Sequence, residues 1–312
     1  MLTHIITKEN VARYPGVMEK VFHQRYQMFV ETLGWSRLNR IVPYDVDAYD
    51  HAETQYIVGL LPGGVPFWHS RFNPTTGPHQ LEEGGPFRKY AADEPPRGPD
   101  VWEGSRSVGG LLMRPDHPED LEDPARILFD PSDEADAKRA RKELFGRMAR
   151  GRVATQEFLI KRGAKQCLGI ADSNLMGRMA EMGWNHRPLG PPVKYPEGEA
   201  NAVVFEASED ILAENRRAWN VVDKQTYEAP PGDAPFPFLI FDTYQNLDRV
   251  QRGSFLKRLE PLLGPGPHAT NCDAAYDYLL RLETPKMEKD ALRIADLVIT
   301  EIANDASTAK AI

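Results

Sequence analysis

The spacing of apolar residues between Glu53 and Asn174 limits the possible folds more than any other property of this chain. Glu53 to Leu61 and Val65 to Asn73 are rich in strand-forming residues, and Pro62, Gly63 and Gly64 between them have turn composition, so the two runs read as a hairpin. Pro74 to Asp100 is a long loop rich in Pro, Gly and charge, and Val101 to Met113 reads as another strand. The period then changes. Asp133 to Lys161 carries Leu144, Met148, Phe158 and Leu159 among many charges, Cys167 to Ala171 is a short apolar run, and Asn174 to Met182 is helical again. A meander of strands followed by helix, strand and helix predicts an α/β sandwich on a mixed sheet, not a doubly wound parallel sheet.

Ahead of the hairpin, Met18, Val21, Phe22 and Phe29 recur at helical spacing from Pro15 to Leu33, and Gly34 stands where that helix should stop. Behind the sandwich, the run APPGDAPFPF from Ala229 cannot form a regular helix and divides the chain into residues 1–228 and 229–312. Beyond it, Leu247 to Leu263 and Asp273 to Leu282 read as helices. A last helix begins at Thr284 and Pro285 with Ile294, Leu297, Val298 and Ile302 on one face, which makes the tail a small helical extension.

Composition removes several classes. A hydrophobic share of 41% and a charged share of 27% are those of an ordinary globular protein. The net charge of −8 and the scattered basic residues offer no field for nucleic acid. Cys167 and Cys272 are the only two cysteines, too few for a disulfide framework or a thiolate zinc site. The N-terminus lacks a signal-peptide pattern and no stretch approaches the roughly 20 apolar residues that span a bilayer, so the expected location is the reducing cytoplasm, with no membrane partner.

Met18, Phe22, Arg25 and Phe29 follow one another at helical spacing, which sets a guanidinium in an apolar stripe. Taken alone, Arg25 reads as an edge residue that snorkels to water. Asp45, Asp47 and Asp50 lie close together in YDVDAYD, and carboxylates so grouped repel one another unless cations answer them. They are either a solvated acidic loop or the partners of Arg25, Arg71 and Arg106 in a charged site for the zwitterionic end of an amino acid, with Phe29 and Trp35 able to face a cation. Glu103 and Arg106 in WEGSR are three apart on a strand, so they share a face only if the strand bulges, and a bulge is expected. The plainer reading is an edge strand with surface charges.

The order of Arg25, Phe29 and Trp35 in RYQMFVETLGW, Asp47 and Asp50 in DVDAYD, Arg71 in RFNPTTGPHQL, and Glu103 and Arg106 in WEGSR resembles the acyl-homoserine-lactone synthases. Gly183 with Trp184, and Pro188 to Pro192, agree, and the resemblance covers about residues 10 to 215. It implies an acetyltransferase-like (GNAT) three-layer sandwich with a mixed central sheet and a V-shaped opening between Val101–Met113 and Cys167–Ala171. Residues 1–228 become the catalytic domain, and 229–312 a Pro-rich connector with a helical extension of no assigned role. The implied catalytic residues are Glu103, Arg106 and Asp47, and the implied substrate-binding residues Arg25, Phe29, Trp35, Asp50, Arg71, Ser105 and Ser107.

The implied activity transfers an acyl group from an acyl carrier protein or coenzyme A to the amine of S-adenosylmethionine. Lactone closure then releases methylthioadenosine and yields a quorum-sensing signal. An amine attacks a thioester only when neutral, and with α-amino pKa values of about 7.7 to 8.0 the proton is easily removed, by Glu103 directly or through a water. Backbone N–H groups at the bulge are expected to hold the oxyanion. No metal or cofactor is expected, S-adenosylmethionine being a substrate. Two alternatives are another GNAT-type N-acyltransferase acting on an amino acid and a degenerate ligand sensor.

Departures from the family concern the acyl group. Ser107 stands where many relatives have Phe, and with Gly109 and Gly110 it widens the expected acyl pocket; Ala171 to Ser173 gives no basis for 3-oxo recognition. Leu175, Met176 and Met179 are expected either to line the acyl chain or to be plain core. The basic run Lys138 to Lys142, with Arg147, Arg150 and Arg152, either docks an acidic carrier protein or is a solvated face paired with Glu134 and Asp136. His69 and His79, isolated in sequence, read as structural.

Overall fold

Gly63 and Gly64 take φ values of 75° and 73°, a region glycine enters without strain, and this turn lets Gln55–Leu61 pair antiparallel with Val65–Pro74. The computed structural model describes residues 2–35, 42–109, 112–113, 127–128, 130, 132–181, 184–196, 198–268 and 271–309, so Gly110 and Gly183 lie outside the described residues. The chain forms two units: Met1–Lys8, Gly16–Leu61 and Val65–Glu228 make the first, and Glu9–Pro15, Pro62–Gly64 and Ala229–Ile312 the second.

In the first unit the strands are Leu2–Ile6 (β1), the hairpin Gln55–Leu61 (β2) and Val65–Pro74 (β3), Val101–Gly109 (β4), Leu112–Met113 (β5), Ile127–Leu128 (β6), Gln166–Asp172 (β7), His186–Pro188 (β8), Val193–Tyr195 (β9), Gly198–Glu206 (β10) and Thr226–Tyr227 (β11). The helices are Val17–Arg25 (α1), Glu134–Lys161 (α2), Ser173–Glu181 (α3) and Glu209–Trp219 (α4). One mixed sheet runs β11-β1-β2-β3-β4-β7-β10-β8, with β9 on β10; β1–β11 and β4–β7 are parallel and the other pairs antiparallel.

Strands β4 and β7 pair only at Val101–Gln166, Trp102–Cys167 and Glu103–Leu168. Past Glu103, β4 continues along β3 while β7 continues along β10, so the two central strands part. This is the V-shaped opening that the resemblance implied, and Glu103 stands at its apex. Of the expected strand Val101–Met113, β4 covers Val101–Gly109, and Leu112–Met113 pairs with β6 in a separate two-stranded sheet.

Alternation along β4, β7 and β10 sends neighbours to opposite faces, and both faces are covered. Trp102, Cys167 and Val203 meet Phe72, Ala154, Phe158 and Leu159 on the α2 side, with Phe158 ring contacts of 4.8 Å to Phe72 and 5.5 Å to Trp102. Val101, Leu168, Ala202 and Val204 meet Leu81, Tyr90 and Leu189 on the other. Two covered faces make three layers, the acetyltransferase-like arrangement. Helix α2 starts where Asp133 accepts the N–H groups of Ala135 and Asp136, and its buried Glu157 accepts from the N–H of Gln225 and Thr226 and the Thr226 hydroxyl, which fixes β11.

The N-terminal helix departs from expectation after Arg25: Tyr26–Thr32 winds as a π-helical turn before Gly34, at φ 68°, ends it. In the second unit, Phe238–Asn246 (α5), Arg249–Leu263 (α6), Cys272–Leu279 (α7) and Pro285–Ala309 (α8) surround an aromatic core in which Phe241 lies 4.2 Å from Phe236 and 4.9 Å from Tyr276. Arg13 donates to the carbonyls of Pro230 and Ala234 at 2.9 and 3.2 Å, so the Pro-rich run is bound in place. On α8 the buried face is Ala291, Ala295 and Val298; Leu297, expected on it, is 55% exposed.

Candidate active site

Arg25 ends α1 fully buried, so the snorkelling outcome does not occur. Its Nε donates to Asp45 Oδ2 at 3.1 Å, and its Nη1 and Nη2 donate to Asp50 Oδ1 and Oδ2 at 2.7 and 3.0 Å, the two-pronged match of guanidinium to carboxylate. Arg71 donates from Nη1 to Asp47 Oδ1 at 2.6 Å and from Nε to Ser105 Oγ at 3.0 Å. Arg106 donates from Nε to Asp45 Oδ2 at 2.8 Å and from Nη2 to Asp47 Oδ2 at 3.0 Å. Tyr56 adds its hydroxyl to Asp50 Oδ1 at 2.7 Å. The three Asp are thus answered by three Arg, and Asp45 bridges Arg25 to Arg106. Every nitrogen of Arg25 faces a carboxylate, so it holds the acidic loop in place.

The charges settle in consequence. Burial alone would push the Asp50 carboxyl up, but hydrogen bonds from Arg25 and the charges of Arg71 and Arg25 hold it well below the usual carboxylate range. Burial lowers the Arg71 guanidinium, and Asp50 and Asp47 more than restore it. For Arg106 burial dominates and the shift is downward. His69 has only burial and the neighbouring Arg25 charge acting on it, is lowered to about 3, and is a neutral core residue as expected.

The expected bulge on β4 is present. Arg71 lies opposite Ser105 while His69 lies opposite Val108, so two steps on β3 answer three on β4. The irregularity falls at Arg106 and Ser107, and Arg106 takes φ 51°, a left-handed conformation that costs about 1–3 kcal/mol for a side chain other than glycine. Regular alternation would send Arg106 to the face of Trp102; the bulge turns it to Asp45 and Asp47 instead. Its guanidinium also lies 5.4 Å from the Phe29 ring, and Phe29 stacks on Trp35 at 5.0 Å. Trp35 in turn meets the edge of Tyr195, a residue the sequence did not single out.

Glu103 is buried and accepts the N–H of Leu81 on Oε2 at 3.0 Å. His79, expected to be merely structural, brings Nδ1 to 3.5 Å from the same oxygen. Among the buried atoms here without a hydrogen-bond partner are Asp45 Oδ1, Arg71 Nη2 and Glu103 Oε1, together with His69 Nε2 and His79 Nδ1. Native proteins leave few buried polar atoms unpaired, so the two carboxylate oxygens and the guanidinium nitrogen left open together point to a ligand with complementary charges.

The acyl side differs from expectation in two places. Leu175 is 48% exposed and stands apart from the core, whereas Met176 and Met179 on the same helix are partly buried and pack against the cluster that contains Trp68, Phe72 and Trp102. The room expected beside Gly109 is filled by Trp68: an added Cβ would meet that indole at 3.0 Å, and one on Gly151 of α2 would meet it at 2.8 Å. Ser107 is exposed and shares a hydrogen bond of 2.7 Å with Ser70. In the basic run, Arg139 pairs with Asp136 at 2.6 Å, Arg147 pairs with Glu143, and Arg152 is buried with its guanidinium 4.0 Å from the Trp184 ring, which removes it from the exposed set.

No protein-family model matches the sequence. Among curated relatives, the chain is 30% identical over 191 residues to the isovaleryl-homoserine lactone synthase of Bradyrhizobium diazoefficiens, covering 61% of this chain and 73% of that one. It is 36% identical over 93 residues to an acyl-homoserine-lactone synthase of Pseudomonas aeruginosa, covering 29% of this chain and 45% of that one. Among solved structures, the coenzyme A-dependent acyl-homoserine lactone synthase BjaI, solved with S-adenosylmethionine and isopentyl-coenzyme A, superimposes at a TM-score of 0.57 and 25% identity over 74% of this chain and 95% of its own. With a relative matched over most of its length and the parted strands and charged network in place, the chain belongs to the acyl-homoserine-lactone synthase family and is an acyltransferase.

Proposed function

We propose that this protein transfers an acyl group from coenzyme A to the α-amine of S-adenosylmethionine and then closes the product to an N-acyl-homoserine lactone, releasing methylthioadenosine. The observation that carries this reading is the set of open atoms. Asp45 Oδ1 and Glu103 Oε1 accept from an ammonium, and Arg71 Nη2 donates to a carboxylate, which together suit an α-amino acid head group. Coenzyme A as the carrier rests on the likeness to BjaI, and an acyl carrier protein is the second candidate.

The chain's residues then divide the chemistry. Glu103 takes a proton from the ammonium, the freed amine attacks the thioester carbonyl, the C–N bond forms, and the C–S bond breaks to release the thiol. Backbone N–H groups at the bulge around Arg106 stabilise the oxyanion. In the second step the carboxylate oxygen, oriented by Arg71, attacks the γ-carbon; the C–S⁺ bond breaks and methylthioadenosine leaves neutral. Met176, Met179 and Trp68 border the acyl side. Arg25, Asp50 and Tyr56 position Asp45 and Asp47, and Phe29 and Trp35 form the aromatic wall over the sulfonium.

Mass spectrometry of culture extract from a host expressing the chain reports lactone formation and acyl identity together. An N-acyl-homoserine lactone absent from the empty host is expected. An acylated amino acid with no lactone would favour a simple N-acyltransferase, and S-adenosylmethionine binding with no acylated product would favour a sensor.

A further inference from the structure

The two oxygens of Glu103 are held unequally. Oε2 accepts the Leu81 N–H at 3.0 Å and lies 3.5 Å from His79 Nδ1, whereas buried Oε1 has no partner. Both groups at Oε2 come from the segment His79–Leu81, which is buried throughout. Its approach to β4 is fixed from several sides. Thr75 Oγ1 donates to the Val101 carbonyl at 2.9 Å, Arg97 Nε donates to the Thr75 carbonyl at 2.8 Å, and the His51 ring donates to the Pro78 carbonyl at 3.2 Å. Beyond it, the N–H groups of Glu82 and Phe87 donate to the carbonyls of His79 and Gln80. His79 Nδ1 makes no hydrogen bond among the described residues, and the acceptor it faces at ion-pair distance is the carboxylate at the apex of the V.

We infer that His79 is a positioning residue for Glu103: its Nδ1–H and the Leu81 N–H grip Oε2 together and leave Oε1 to receive the amine proton. A carboxylate held by one donor swings about its terminal torsion; two donors on one oxygen remove that freedom and fix which oxygen faces the reactant. A contact of 3.5 Å is in the range that tightens once substrate closes a site. The inference rests on Glu103 acting as the base in the proposed reaction.

The test follows thiol and methylthioadenosine release by the full chain, supplied with S-adenosylmethionine and the acyl-coenzyme A that the wild type turns over fastest from an acetyl, butyryl, isovaleryl, hexanoyl and octanoyl set. His79→Ala and His79→Gln are expected to lower kcat about ten-fold or more with KM for S-adenosylmethionine unchanged, as loss of an orienting partner does. His79→Asn, whose amide nitrogen takes the place of Nδ1, should recover most of the rate, whereas the Gln nitrogen reaches the place of Nε2 and should not. Wild-type rates in all variants, an Asn variant as slow as Ala, or a raised KM with unchanged kcat would overturn the inference. If His79→Ala does not fold, the Asn and Gln variants decide it. A wild type that releases thiol without methylthioadenosine would overturn lactone closure and leave the role of His79 to be judged on thiol release. No thiol release from any thioester would overturn both.

Discussion

The two sides of the central sheet are built by different physics. On one side, Arg25, Arg71 and Arg106 interlock with Asp45, Asp47 and Asp50 almost without solvent, each partner fixed by hydrogen bonds of 2.6–3.1 Å. On the other, Trp68, Phe72, Trp102 and Phe158 pack with Met176 and Met179 through contacts that have no direction. Removing one member of the first set strands a charge; changing a member of the second alters volume. Substitution on the charged side should therefore cost more than substitution on the apolar side.

That contrast makes ranked predictions. Glu103→Gln should give the largest effect, lowering the rate of thiol release by about 10²–10⁴-fold with little change in urea midpoint. A variant that kept its rate would remove Glu103 from the chemistry. Next, Arg25→Ala leaves Asp45 and Asp50 without their shared cation and should destabilise the fold by about 3–5 kcal/mol in urea unfolding, more than it weakens S-adenosylmethionine binding in the molecules that remain folded. An intact fold that merely binds its substrate poorly would show Arg25 to be a direct ligand.

On the apolar side, Gly151→Ala should destabilise by about 1–3 kcal/mol, because its Cβ meets Trp68 at 2.8 Å. The sign is the sharp part, since Gly to Ala inside a helix ordinarily stabilises by about 1 kcal/mol. A gain in stability would mean that the indole can move aside. The smallest effect concerns pH. The Asp50 carboxyl is held below its unfolded value of about 3.9, so its contribution to stability is present above that pH and is lost as the pH falls further. Urea midpoints should decline from pH 5 to pH 3, and less steeply in Asp50→Asn; equal slopes would mean that other carboxylates carry the dependence.

The same contrast explains what the sequence disclosed. Arg25 at helical spacing in an apolar stripe, three Asp in six positions and Glu103 three residues from Arg106 are features that each demand a partner, and the answers are one another. Even the bulge was legible, since without it Glu103 and Arg106 would face apart. Apolar shape carries no such demand. Nothing in the spacing of Gly109 or Gly151 says that Trp68 fills the room beside them, and nothing local separates the exposed Leu175 from Met176 and Met179. The short strands β1 and β11 depend on partners distant in sequence, so their registers left no local trace. The longer β10 and helix α4, which begins at a Ser208 cap, were readable and went unread. His79 was hidden because Thr75 and Pro78, anchored far from it in sequence, bring it to Glu103.

Lactone formation ties the two halves of the proposed reaction by stoichiometry. Purified protein given S-adenosylmethionine and acyl-coenzyme A should release thiol and methylthioadenosine in equal amounts, followed in parallel by thiol titration and chromatography. Thiol release with no methylthioadenosine would contradict lactone synthesis.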